Sequence, residues 1–188
     1  MQTGSVKIVK VVDNEEIMLA LLKKGDIFGE MALLDNKPRS ACAIAHEDCS
    51  AMVINRSNFD QMVTTQPQLV ARLTTMFAER LWSMYRQLAN TQLTDPREKM
   101  IDMLALQLEK QRINAVRGVP YQTDYAIIDI VNLCGITQEA VGNATFQLQS
   151  DPNVKVKNGK IVVPDVIELI KQAAFYRKQN AKRALDRS

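Results

Sequence analysis

Glu30 and Arg39 have the types and the spacing that could do chemistry. They stand in the stretch Phe28 to Ala45, FGEMALLDNKPRSACAIA, with one acid directly behind Gly29 and one permanent cation nine residues further on. Mostly apolar and turn residues lie between. A glycine lets a ligand approach the backbone, and a loop built around it can turn amide N–H groups toward an anion. Arg39 adds a forked cation that matches phosphate oxygens. Glu30, an acceptor only when ionised, is repelled by phosphate but suits a ribose hydroxyl. One acid and one base in one short loop therefore ask for a sugar phosphate. A simple surface pair of Arg39 with Glu30 satisfies the same spacing.

No other cluster competes with this loop. Cys42, Cys49 and Cys134 have no CxxC spacing and only one histidine, His46, to join them, so a zinc or iron–sulfur site is not expected and no metal or cofactor is implied. The three thiols read as packing cysteines. His46 in AHEDCS reads as a surface turn rather than a general base, and there is no P-loop lysine or nucleophile elbow. An enzyme is not expected. Composition is that of a folded globular chain, 46% hydrophobic and 24% charged over 188 residues, with no membrane-length apolar run and no signal-peptide pattern. The expected place of work is the cytoplasm.

The elements that must hold the loop are legible on either side of it. SVKIVKVV and EEIMLALL, separated by DNEE, read as a β-hairpin, and ACAIA and SAMVIN as two more strands, so the front is an antiparallel barrel or roll. At Arg56 the pattern turns helical, with Ser57 as a cap. From Pro67 a longer helix opens, and Val70, Leu73, Phe77, Leu81, Met84 and Leu88 recur on it at steps of three or four. A small β-domain does not readily cover such a stripe, and pairing with a second copy of the helix does.

Asp95 and Pro96 break the chain and start a helix from Arg97 to about Arg112, with Ile101, Leu104, Ala105 and Leu108 on one face. A loop, NAVRGVPYQ, leads into a helix, a Cys134-Gly135-Ile136 turn and a second helix capped by Thr137, the signature of a helix-turn-helix. VKVKNGKIVV follows, with Asn158-Gly159 at a two-residue hairpin turn. The tail reads as a further helix packed through Val166, Ile167, Ile170, Ala174 and Tyr176. Residues 1 to 94 hold ten basic and ten acidic side chains, and residues 95 to 188 hold fourteen and eleven, so the cationic surplus lies in the second half.

The run Phe28-Gly29-Glu30-Met31-Ala32-Leu33, followed after five residues by Arg39-Ser40-Ala41 and the small Ala43 and Ala45, resembles the phosphate-binding cassette of cyclic-nucleotide-binding domains. Barrel, long helix and winged helix-turn-helix, in that order, resemble the Crp/Fnr family of bacterial transcription regulators over most of the chain. The resemblance implies an α+β fold with three parts: a partial cyclic-nucleotide-binding-like antiparallel β-roll over 1–66, a dimerisation helix over 67–94, and a winged helix-turn-helix over 95–188 with a C-terminal helical extension. It implies a homodimer that binds double-stranded DNA, with a cyclic nucleotide, cAMP or cGMP, as effector and no membrane contact. Glu30 would take the ribose 2′-hydroxyl, and Arg39 the cyclic phosphate, helped by Ser40 and by amides near Gly29 and Ala41. Thr137 to Gln149 would be the recognition helix, with Thr137 at its start and Gln138, Glu139 and Asn143 at base edges.

The sequence departs from the family in three places. Its start, MQTGSVKIVK, matches the middle of the family's β-domain, so an initial helix and first strands are expected to be missing from it. Met84 and Tyr85 stand where the cyclic-AMP receptors carry small hydroxyl residues near the purine. From Gly118 to Val154 there is no Lys or Arg, so positive charge for DNA must come from Lys155, Lys157 and Lys160 of the wing or from the tail. The alternative is a degenerate winged helix that contacts a protein partner rather than DNA.

Overall fold

The computed structural model describes residues 1–12, 15–35, 37–111 and 113–186, with the side chains of all of these except Glu15, Gln138 and Ala184. They form two compact units, Met1–Leu81 and Trp82–Ser188.

In the first unit, β1 (Val6–Val12) lies between β2 (Glu15–Leu22) and β3 (Cys42–Ala45). All pairing is antiparallel, with Val6 opposite both Leu22 and Ala45. The turn residues Asp13 and Asn14 lie outside the described residues. The register skips Leu19, so Met18 and Leu21 are both buried although three residues apart, the effect of a β-bulge on a two-residue alternation. Val6 and Val9 complete this small core. The strand expected over SAMVIN does not form: Ser50 bridges to Thr3, and no described strand lies beside the residues that follow. Met52 and Val53, among those residues, are 70% and 90% exposed.

Two helices and the first part of a third complete this unit. Helix α1 (Met31–Leu34) is one turn inside the loop that carries Glu30. Helix α2 (Arg56–Thr65) is capped by Asn55 and not by Ser57: the extended Asn55 accepts from the amide of Asn58 at 2.9 Å, while Ser57 is already inside the helix. Helix α3 (Pro67–Thr91) starts at the proline and runs 25 residues, about 37 Å at the usual rise. On its apolar stripe only Leu73 is buried; Val70, Leu81, Met84 and Leu88 are exposed.

The second unit is built around α4 (Pro96–Lys110), whose first amides, Arg97 and Glu98, are capped by the Asp95 carboxylate. Arg112 lies outside the described residues. Rather than burying one face, α4 buries every residue from Met100 to Leu108, because α5 (Ile127–Leu133), α6 (Gln138–Gln149) and α7 (Val166–Leu185) all pack on it. The loop before α5 contains a short strand that sequence reading does not anticipate, β4 (Tyr121–Gln122). It joins β5 (Lys155–Lys157) and β6 (Lys160–Val163) in the order β4-β6-β5. The hairpin turn between β5 and β6 has φ of +51° at Asn158 and +73° at Gly159. Both central residues of a primed turn need this left-handed backbone, which is why Asn-Gly stands there.

Asp165 holds the start of α7, accepting from the amides of Ile167 at 2.9 Å, Glu168 at 3.1 Å and Gly118 at 2.7 Å. The buried residues of α7 are Val166, Leu169 and Ala173. Ile167, Ile170, Ala174 and Tyr176 are half-buried, so the helix presents a face turned by about one residue from the expected one. No described helix is long and apolar enough to cross a membrane.

Candidate functional site

The loop of the first unit holds its acid and its base apart. Gly29 has φ of +76°, and a Cβ built on it would lie 1.8 Å from Nη1 of Arg39, so the guanidinium occupies the space that any side chain would fill. Arg39 Nη1 donates to the Gly29 carbonyl at 3.4 Å, a long and weak bond, and the side chain is otherwise exposed with Ser40 beside it and Ala41 half-buried. Arg39 is therefore not the partner of Glu30.

That partner is Arg80 of α3, whose Nη1 donates to Glu30 Oε1 and whose Nη2 donates to the Ile27 carbonyl. The two bonds tie both ends of the segment 27–30 to the long helix. Glu30 is only 4% exposed, and its second oxygen, Oε2, is buried with no hydrogen-bond donor. Buried carboxylate oxygens are rarely left so, and the group that completes this one must be a hydrogen-bond donor. A ligand hydroxyl fits it, and the free guanidinium of Arg39 in the same loop fits a phosphate.

Elsewhere the chemistry is sparse. His46 is half-buried in a bend, its amide bonded to the Ser5 carbonyl at 3.0 Å. Cys42 and Cys49 are exposed and so are not the packing residues expected, since β3 and the bend after it have nothing described outside them. Cys134 is buried, and burial pushes its thiol up to about 12, with Lys99 opposing and Asp102 reinforcing the shift. No group of acids, thiols and the histidine among the described residues could hold a metal ion.

Met84 and Tyr85 lie on the part of α3 that belongs to the second unit; both are exposed, and Tyr85 packs edge-on to Trp82 with ring centroids 6.2 Å apart.

In the second unit, Thr137 stands at the N-cap of α6 in an extended conformation but makes no side-chain bond there. The Gln138 side chain lies outside the described residues. Helix α6 buries Ala144 and Leu148 and turns Glu139, Asn143 and Phe146 outward. Of the wing lysines, Lys155 and Lys157 are exposed, whereas Lys160 is half-buried and donates to the Asp124 carbonyl at 2.6 Å. The wing's free charge is thus concentrated on β5.

Residues 1–66 match the family model of the cyclic nucleotide-binding domain. The chain is 26% identical over 174 residues to the cyclic AMP receptor protein of Thermus thermophilus, covering 92% of this chain and 77% of that one. It is 29% identical over 162 residues to the cAMP-activated global transcriptional regulator CRP of Pasteurella multocida, covering 85% and 77%. In fold it is similar to a CRP/FNR-family transcriptional regulator from Thermus thermophilus, with a TM-score of 0.66 at 19% identity over 92% of this chain and 85% of that one.

The chain is similar to CRP/FNR-family regulators over most of its length. Two residues of this chain escape sequence reading. Arg80 has a faint signal, being a cation three residues after Phe77 and four before Met84 on an otherwise apolar stripe. Phe146, 69% exposed, has a plainer one: it falls outside the buried spacing of Ala144 and Leu148 on its own helix.

Proposed function

We propose that the chain is an effector-controlled DNA-binding transcription regulator working in the cytoplasm, with a cyclic nucleotide, cAMP or cGMP, as its effector. Residues 1–66 bind the nucleotide, 67–94 form the dimer helix, and 95–188 bind DNA. The observation that carries the reading is the unpartnered, buried Oε2 of Glu30 in a loop whose exposed Arg39 holds only one weak bond, to the Gly29 carbonyl. A ribose 2′-hydroxyl supplies the missing donor. Arg39 and Ser40, with the amides near Gly29 and Ala41, take the cyclic phosphate. Support for the effector's class comes from the domain match and from relatives named for cAMP.

The exposed Val70, Leu81, Met84 and Leu88 favour a homodimer through α3, because such a stripe is costly to leave in water. A nucleotide that prefers one arrangement of the paired helices stabilises that arrangement by its differential affinity. Thr137, Gln138, Glu139 and Asn143 are the residues brought to the major groove, and Lys155 and Lys157 supply the wing's free charge. A winged helix that serves only a protein contact finds no support among the matched relatives. The test is a shift assay on duplex DNA with and without cAMP or cGMP at several salt concentrations. Nucleotide-dependent binding that weakens as salt rises is expected, and binding indifferent to every nucleotide contradicts the reading.

A further inference from the structure

Phe146 is the most exposed apolar side chain of the second unit's helix-turn-helix. It is 69% exposed, three residues after Asn143 and seven after Glu139, so the three share one outward stripe of α6 while Ala144 and Leu148 face the core. Seven residues of helix advance about 10 Å, close to three base-pair steps of roughly 3.4 Å. One helical face of this length therefore reaches across three base-pair steps.

The chemistry of the face is unusual for its task. The segment from Gly118 to Val154 contains no Lys or Arg, so the forked donor that reads guanine O6 and N7 is missing from it. Asn143 offers the donor and acceptor that match adenine. A phenylalanine has no hydrogen bond to give, and the one apolar group that the major groove displays is the 5-methyl of thymine. Exposed to water the ring is held at a cost; against that methyl it is not.

We propose that Phe146 is a specificity residue that reads a thymine methyl, so that α6 selects A·T pairs by amide and apolar contact. The proposal rests on the DNA-binding reading given above.

The full chain, with cAMP and cGMP present, is used to select duplexes from a randomised pool. The selected sequence is then remade with deoxyuridine in place of each thymidine in turn, which removes only the methyl. One position in each half-site should lose about fourfold in affinity, the factor for one buried methyl-sized group. The Phe146→Ala chain, checked by melting to be folded, should bind the thymidine duplex more weakly and be indifferent to the deoxyuridine swap. Selection in which no swap matters, or in which the swap effect persists in Phe146→Ala, overturns the proposal and leaves the regulator reading standing. Unchanged DNA selection by Phe146→Ala together with a lower sedimenting mass assigns the ring to a protein contact and also overturns it. Failure of the wild-type chain to select any sequence overturns both.

Discussion

Arg80 donates to the carboxylate of Glu30 across 50 positions of sequence, joining the acid of the loop to the long helix. The same guanidinium holds the Ile27 carbonyl, so loop and helix cannot shift independently within the first unit. A ligand group at the other oxygen of Glu30 therefore acts on a side chain already tied to α3.

Arg80→Met should leave a buried carboxylate with no partner for either oxygen and cost about 3 kcal/mol of stability. Adding Glu30→Gln removes the stranded charge, and the double variant should recover most of that loss. Urea denaturation of the four chains in a double-mutant cycle measures the coupling. Additive losses would show that the pair is not coupled.

Asp102 is the corresponding knot of the second unit. Only 1% exposed, it accepts from Arg86 at 3.3 Å, from Asn90 at 3.1 Å and from Arg177 of α7. It thus binds the end of α3 and the C-terminal helix to α4. Asp102→Ala should cost about 3 kcal/mol, the low end for a broken buried pair. The reason is that Arg86 and Arg177 have side chains 26% and 29% exposed and regain water. Arg177→Met should cost about 1.5 kcal/mol, the scale of one hydrogen bond to a charged group. Chemical denaturation checks both, and a larger loss for Arg177→Met than for Asp102→Ala would contradict this assignment.

The features legible in the sequence are those a residue carries in its own backbone or neighbourhood. Asn158-Gly159 announces a primed turn because few residues accept positive φ, and Pro67 with its three-and-four spacing announces α3. The oppositely charged pair in one loop is visible for the same reason. What a residue meets across the fold is not visible. The partner of Glu30 lies 50 residues away, and the burial of α4 on every side depends on α7 arriving from the far end of the chain. The face of α7 lies about one residue from the one its spacing predicts, since Leu169 and Ile170 are both strongly apolar and the packing against α4 chooses between them.

The thiols should divide two to one. Cys42 and Cys49 are exposed, while burial holds Cys134 neutral with its thiol pushed up to about 12. At neutral pH a thiol reagent should label two sites quickly and the third only on unfolding, since the thiolate is the reactive form. Rapid labelling of all three in the folded chain would contradict the burial of Cys134.

Asp165 gives the acid limb of the stability profile a specific contributor. Burial works to raise its carboxyl, but the amides of Glu168, Gly118 and Ile167, with Arg117 nearby, outweigh it and hold the group below the ordinary carboxylate range. A folded value below the unfolded one means that the stabilisation is present above about pH 4 and disappears as pH falls through the folded value. Thermal melts across acid pH should show Asp165→Asn losing less stability than the natural chain over that fall. Parallel profiles would remove Asp165 from the account.

Calorimetric titration of the full chain with cAMP, cGMP and cyclic dinucleotides, repeated on Arg39→Ala, tests the central claim most directly. Saturable binding of cAMP or cGMP is predicted, abolished in Arg39→Ala at unchanged melting temperature because that side chain is exposed and holds only a weak bond to Gly29. Binding of none of these ligands, or equal binding by Arg39→Ala, would contradict it.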